Sequence, residues 1–155
     1  MQTPHNARIS EWVLPVKVAT QAMVYSNLVY LSPDSPLAVL PRNGRFLIFK
    51  GYILSFDLSA EIPKGKIGLG NKFREFLNAD LVHEVQILAY YRADNDYAAA
   101  SIDLRVEFFI PPKERVEVDD ISLSERFIQD FSGRYIATDQ AFTYEYKKVP
   151  YVLTV

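Results

Sequence analysis

Before residue 90, turns interrupt this chain so often that only short strands fit between them. Two prolines make "SPDSP" (32–36) a loop, because each removes a backbone donor and fixes φ, and "PRNG" (41–44) is a strong turn. Between such breaks lie "WVLPVKV" (12–18), a broken β-like run, and "AMVYSNLVYL" (22–31), a β-rich segment. "RFLIFKGYILSFDL" (45–58) suits buried strands interrupted at Gly51, and "HEVQILAYY" (83–91) is a further strand. Little helical periodicity precedes residue 90. Many short strands with this punctuation imply a small barrel or a sandwich.

The second part of the chain has a different pattern. "RADND" (92–96) is a polar break and the best boundary between two lobes. "SIDLRVEFFI" (101–110) alternates: Ile102, Leu104, Val106, Phe108 and Ile110 share one face, Asp103, Arg105 and Glu107 the other. That period of two predicts a strand packed on one side, ended by Pro111 and Pro112. A helix follows. Ser122 and Glu125 have capping-box spacing, Leu123, Phe127, Ile128 and Phe131 recur on one helical face, and Gly133 can close the last turn. "AFTYEYKKVPYVLTV" (141–155) predicts two strands around a Lys147-Lys148 turn. Ending on a strand, the chain is expected to be cut from something longer.

The stretch "EIPKGKIGLGNKFREF" (61–76) poses the main functional question. A phosphate-binding loop needs G-x-x-x-x-G-K-[ST], but Ile67 follows Gly65-Lys66, so the magnesium-binding hydroxyl is missing, and Ala60 replaces the first glycine. The dinucleotide pattern also fails, since Phe73 stands where its third glycine belongs. "IPKGK" instead predicts a tight turn with Pro63 at its first central position and Gly65 at positive φ. Gly68 and Gly70 would let the chain bend or cross closely. Lys64, Lys66, Lys72 and Arg74 then form either a solvated surface or a patch for an acidic partner, with Arg74 as a fork-shaped donor.

Other chemistry is sparse. With 155 residues, 49% hydrophobic, the chain can bury a real core. A net charge of −2 gives no global field toward nucleic acid or anionic membrane. Having no cysteine excludes disulfides and thiolate metal sites, and fits a reducing compartment. No apolar run approaches the roughly 18 residues that a spanning helix needs, and the N-terminus lacks a signal-peptide pattern, so a soluble intracellular protein is expected. His5 and His83, the only histidines, have no metal-ligand spacing. Asp119 and Asp120 favour the positive N-terminal end of the predicted helix. The serines form no nucleophile elbow, and Phe108 and Phe109 are expected in the core rather than stacked on bases.

"IPKGKIGLGNKFREFLNADLVHEVQI" (62–87) resembles the N-terminal domain of the N-ethylmaleimide-sensitive factor (NSF) family. That family has a proline-glycine turn, a β-run, then glutamine-arginine-x-tryptophan, then a strand beginning Glu-hydrophobic. The matching positions here read Phe73-Arg74-Glu75-Phe76 and Glu84-Val85-Gln86-Ile87, so the arginine is kept while its neighbours differ. The likeness continues through "SIDLRVEFFI" and the "FIQDF" helix with its strand pair, over roughly residues 17 to 155. Residues 1–16 have no counterpart; Trp12 among them is a candidate to dock on a lobe.

The resemblance implies a mainly β, α+β chain: an N-terminal extension plus a double-psi β-barrel lobe over 1–91, and a smaller α/β lobe over 92–155. It implies a non-catalytic adaptor-binding module of a hexameric AAA ATPase that disassembles SNARE complexes after vesicle fusion. Such a module would need no cofactor or metal of its own; ATP and magnesium would belong to absent AAA modules, which would also form the hexamer, leaving this fragment monomeric. Its partner would be the SNAP adaptor on the SNARE complex, which would recruit it from the cytoplasm to membranes. Arg74 and Lys17 are the implied partner-binding residues, with Lys72 beside them. The family's basic position in the second lobe falls on Pro111 and Pro112, so Lys113 and Arg115 are its substitutes. The rival readings are the N domain of a valosin-containing-type ATPase, which binds ubiquitin-linked adaptors, a double-psi barrel enzyme, and a nucleic-acid module.

Overall fold

A computed structural model describes residues 9–18, 20–93, 96 and 98–155. It is mainly β. Six strands close a barrel in the order β1-β5-β2-β4-β3-β6: β1 (Ser10–Lys17), β2 (Val29–Leu31), β3 (Phe46–Phe49), β4 (Tyr52–Leu58), β5 (Lys66–Leu69) and β6 (Val85–Tyr90). Most neighbours are antiparallel, but β1 with β5 and β2 with β4 run parallel. Strand β1 changes partner midway. Residues 10–13 pair with β6 and residues 14–17 with β5, and the switch falls next to Pro15, which has no N–H to give. Leu31, Leu47, Phe49, Ile67, Leu69 and Ile87 fill the interior.

Two short helices correct the expectation of an almost helix-free first half. Residues 22–25 of the expected β-rich segment belong instead to α1 (Gln21–Tyr25), capped by the Thr20 hydroxyl accepting from Met23 N–H at 3.2 Å. Only Val29–Leu31 of that segment is strand. Helix α2 (Asn71–Leu77) occupies the end of the glycine-lysine stretch and buries Phe73 and Leu77, one turn apart. Asn78, at φ 49°, ends it in the left-handed conformation. Lys50, in the turn of the β3–β4 hairpin, donates to the carbonyls of Leu77 and Asn78 at 3.2 and 2.8 Å, where the helix dipole favours a cation.

The glycines serve the backbone. Lys66 N–H donates to Pro63 O, so Pro63 is the first residue of that turn rather than its first central one, and Gly65 takes φ 81°. At Gly68, an added Cβ would lie 2.7 Å from Ile62 Cδ1, 3.2 Å from Val18 Cγ1 and 3.4 Å from Tyr30 Cβ. Gly68→Ala is expected to cost about 1–2 kcal/mol through overpacking. Trimming the clashing methyl should relieve part of this, so Gly68→Ala combined with Ile62→Val should lose less stability than the two single changes summed. Urea denaturation of the set checks it; strict additivity would show that Ile62 is not the obstacle.

A separate apolar cluster lies under the three-stranded antiparallel sheet β7-β9-β8, made of β7 (Arg105–Phe108), β8 (Ala141–Tyr146) and β9 (Val149–Thr154). Helix α3 (Asp120–Phe131) lays Leu123, Phe127 and Phe131 on Phe142, Tyr144, Tyr151 and Leu153. Ile128, expected on that face, is 67% exposed. The cap also differs from the expected box. Asp119 is the N-cap, its carboxylate accepting from Ser122 N–H at 3.1 Å and Ser122 Oγ–H at 2.9 Å. Those bonds, led by the Ser122 N–H, hold the Asp119 carboxyl below the usual carboxylate range. Lys147 and Lys148 both take positive φ in the β8–β9 turn, as a tight hairpin requires. "SIDLRVEFFI" yields only a four-residue edge strand. Leu104 and Phe108 pack partly on the cluster, but Ile102, Val106, Phe109 and Ile110 stay exposed, against the expectation of a covered face and of a core Phe109.

Residues 1–8 of the expected N-terminal extension, with His5, lie outside the described residues, as do 94 and 95 of the polar break. The rest of the extension is no appendage: from Ser10 on it is barrel strand. Trp12 does not dock; it is 60% exposed on β1.

Candidate partner-binding surface

Strand register brings together part of the expected basic set. Lys17, exposed at the end of β1, pairs across the ladder with Leu69. Gly70 follows, approaching Val24 of α1 and serving as N-cap of α2, the helix that carries Lys72 and Arg74. Since Phe73 and Leu77 anchor the inner face of α2, its charged residues turn outward or sideways. Both α1 and α2 pack against β8, so this basic cluster borders the contact between barrel and small sheet.

The cations differ in their pairing. Lys72 is spent partly on Glu75, 3.2 Å away in the same helix. Arg74 is half-buried; its Nη2 donates to Asn71 Oδ1 at 2.9 Å. Among the described residues, no carboxylate forms an ion pair with Arg74, and its buried Nε has no hydrogen-bond partner. Lys17 likewise has no ion-pair partner among the described residues. The exposed end of the Arg74 guanidinium, rather than the buried Nε, is the part that suits a carboxylate supplied from outside.

Lys113 and Arg115 are not brought into that cluster. Both are exposed on the segment after β7, and β9 separates β7 from β8 in the sheet. The continuation of that segment, Val116–Asp119, lies instead against Tyr146 and Lys147 of the β8–β9 hairpin. His83, without metal-ligand spacing, pairs with Asp80 at 2.6 Å; the Val82 N–H first, and then His83, lower the Asp80 carboxyl to about 2.

The groove beside the barrel–sheet contact holds arginines that sequence reasoning did not single out. Leu28, Arg42, Arg45, Phe46, Asp57 and Arg134 line a cleft of about 300 Å3. Arg45 is paired with Asp57 at 2.9 Å. Arg134 donates to the carbonyls of Ser26 and Asn27 at 2.8 and 3.3 Å and lies over the Phe131 ring at 4.8 Å. Burial pulls its pKa down, and nearby Asp130 opposes the shift. Asn27 makes the tightest link. Its Nδ2 donates to Thr143 O at 2.8 Å and its Oδ1 accepts from Thr143 N–H at 3.0 Å. One side-chain amide thus caps the free edge of β8 as a neighbouring strand would. Arg92 completes the seam, donating to Gly133 O and lying over the Phe46 and Tyr135 rings at 5.0 and 5.5 Å. The Tyr135 hydroxyl donates to Asp96, and desolvation with that carboxylate pushes its pKa up to about 12.

The contacts that tie Asn27, Arg92 and Arg134 across the seam have no local sequence signal, because those partners are far apart in the chain. Asn27 and Thr143 are 116 positions apart. The chain matches no protein-family model and no curated protein.

Proposed function

We propose that this chain is an adaptor-binding module of an NSF-like hexameric AAA ATPase, engaging an acidic SNAP adaptor on SNARE complexes without doing chemistry itself. The observation that carries the reading is Arg74: a half-buried guanidinium with no carboxylate partner among the described residues, on a helix packed against the second sheet. Lys17 extends the positive edge. We read the barrel as double-psi, a reading supported by its two parallel pairings within a closed antiparallel frame. In the full-length protein, ATP and magnesium would act in separate AAA modules and recruitment to membranes would run through the adaptor. Exposed ion pairs contribute only about 0.2–1 kcal/mol each. Several N modules on one multi-adaptor complex would gain by avidity and still release their product.

Arg74→Glu is expected to weaken binding to a SNAP–SNARE complex roughly three- to tenfold with an unchanged circular-dichroism spectrum. Binding should also fall as salt rises toward physiological strength and beyond. A titration beside a ubiquitin-linked adaptor separates the reading from its rival: preference for the ubiquitin adaptor, or an Arg74→Glu titration that matches the unmodified chain, sinks it.

A further inference from the structure

The outer edge of β7 is the structure's open seam. Phe109 N–H donates to Pro150 O, so the odd-numbered residues of β7 direct their backbone groups at β9. Val106 and Phe108 then direct theirs outward, where no strand pairs with them among the described residues. Part of the apolar stripe along this segment is exposed as well, with Val106 at 41% and Ile110, just past the strand, at 68%. On the opposite face Arg105 and Glu107 stand alternately along the strand, 3.7 Å apart at their charged ends and largely in water.

We propose that this edge pairs antiparallel with the same edge of a second copy of the chain, about a two-fold axis at Val106. The sequence is self-complementary about that residue. Arg105 of one copy falls opposite Glu107 of the other, and Leu104 opposite Phe108. Ile102 likewise falls opposite Ile110, extending the apolar stripe across the axis. The register is chosen by charge. Centring the axis on Arg105 would set arginine against arginine, and centring it on Glu107 would set glutamate against glutamate. Only the Val106 axis joins outward-facing backbone to outward-facing backbone and pairs both charges favourably. Pro111 and Pro112 end the ladder, which keeps the contact small and the dimer weak. The seam lies two strands away from β8, so it and the Arg74 cluster need not compete. The isolated chain, expected from the resemblance to be monomeric, would on this reading self-associate.

Sedimentation velocity from about 10 µM to 1 mM tests it without any adaptor. The unmodified chain should shift reversibly from monomer to dimer. Arg105→Glu alone, or Glu107→Arg alone, should raise the dimer dissociation constant about tenfold or more. The double exchange should restore it, and so should mixing the two single variants, which re-creates both opposite-charge pairs. Val106→Pro, which removes a donor that only the second copy would use, should abolish the dimer with the fold intact by circular dichroism. A chain that stays monomeric throughout this range overturns the proposal, and so does a dimer whose dissociation constant ignores both charge reversals.

Discussion

Asn27→Ala is expected to lower stability by about 3 kcal/mol and the unfolding midpoint by roughly 10 °C. The amide is buried, at 6% exposure, and satisfies both backbone groups of Thr143, itself only 3% exposed. Alanine leaves that donor and that acceptor in place without partners, and each buried orphan costs about 1–3 kcal/mol. Asn27 also sits at φ 54°, a left-handed conformation that asparagine tolerates better than alanine. Asn27→Gly separates the two effects, since glycine removes the amide but accepts the backbone. If the lost bonds dominate, glycine rescues little. Asn27→Asp keeps the acceptor for Thr143 N–H but turns an oxygen toward the Thr143 carbonyl, so it too should destabilise. Thermal melts and amide exchange at Thr143 read the result. A change in Asn27→Ala smaller than about 0.5 kcal/mol, the scale of an ordinary surface substitution, would show that β8 does not depend on this clamp.

Phe127→Ala is expected to cost more, about 4 kcal/mol. The ring is 2% exposed, stacks on Phe131 with centroids 4.5 Å apart, and meets Phe142 edge-on at 5.8 Å. Its loss empties the middle of the apolar cluster under the small sheet. Neighbouring Ile128→Ala serves as the control: 67% exposed on the same helix, it should change stability by no more than about 0.5 kcal/mol. Because the barrel keeps its own cluster, amide protection in Phe127→Ala should collapse first in β8 and β9 while β3 and β4 stay protected. Uniform loss of protection would mean that the two clusters unfold as one unit. Tyr144 belongs to the same neighbourhood. Its hydroxyl donates to Asp130 at 2.6 Å, and burial, then that carboxylate, push its pKa far above the ordinary phenol range.

What the sequence made legible was whatever had a local cause. The Lys50-Gly51 hairpin follows from a glycine free to take positive φ, the Lys147-Lys148 turn from a polar break between two β-runs, and α3 from apolar spacing over three turns. Helices α1 and α2, of 5 and 7 residues, are too short to display a period. Packing and caps hold them, and those depend on distant segments. The alternation in "SIDLRVEFFI" correctly separates its faces, yet no pattern within a strand can state whether anything covers the apolar one. The site divides in the same way. Lys17 and Arg74 come together because one ladder sets Lys17 opposite Leu69, just ahead of α2. The groove arginines and the Asn27 clamp are products of the tertiary fold, and Arg134 looks in sequence like any residue after a helix.

The partner switch in β1 has a consequence for how the chain is made. Its Ser10 end pairs with β6, so the barrel cannot shut until all six of its strands have left the ribosome. Until then β1 waits with its inward residues in water, exposed to chaperones and to wrong partners. Closure therefore waits for the last barrel strand, and a chain released before β6 would lack the strand that joins the two ends of its sheet.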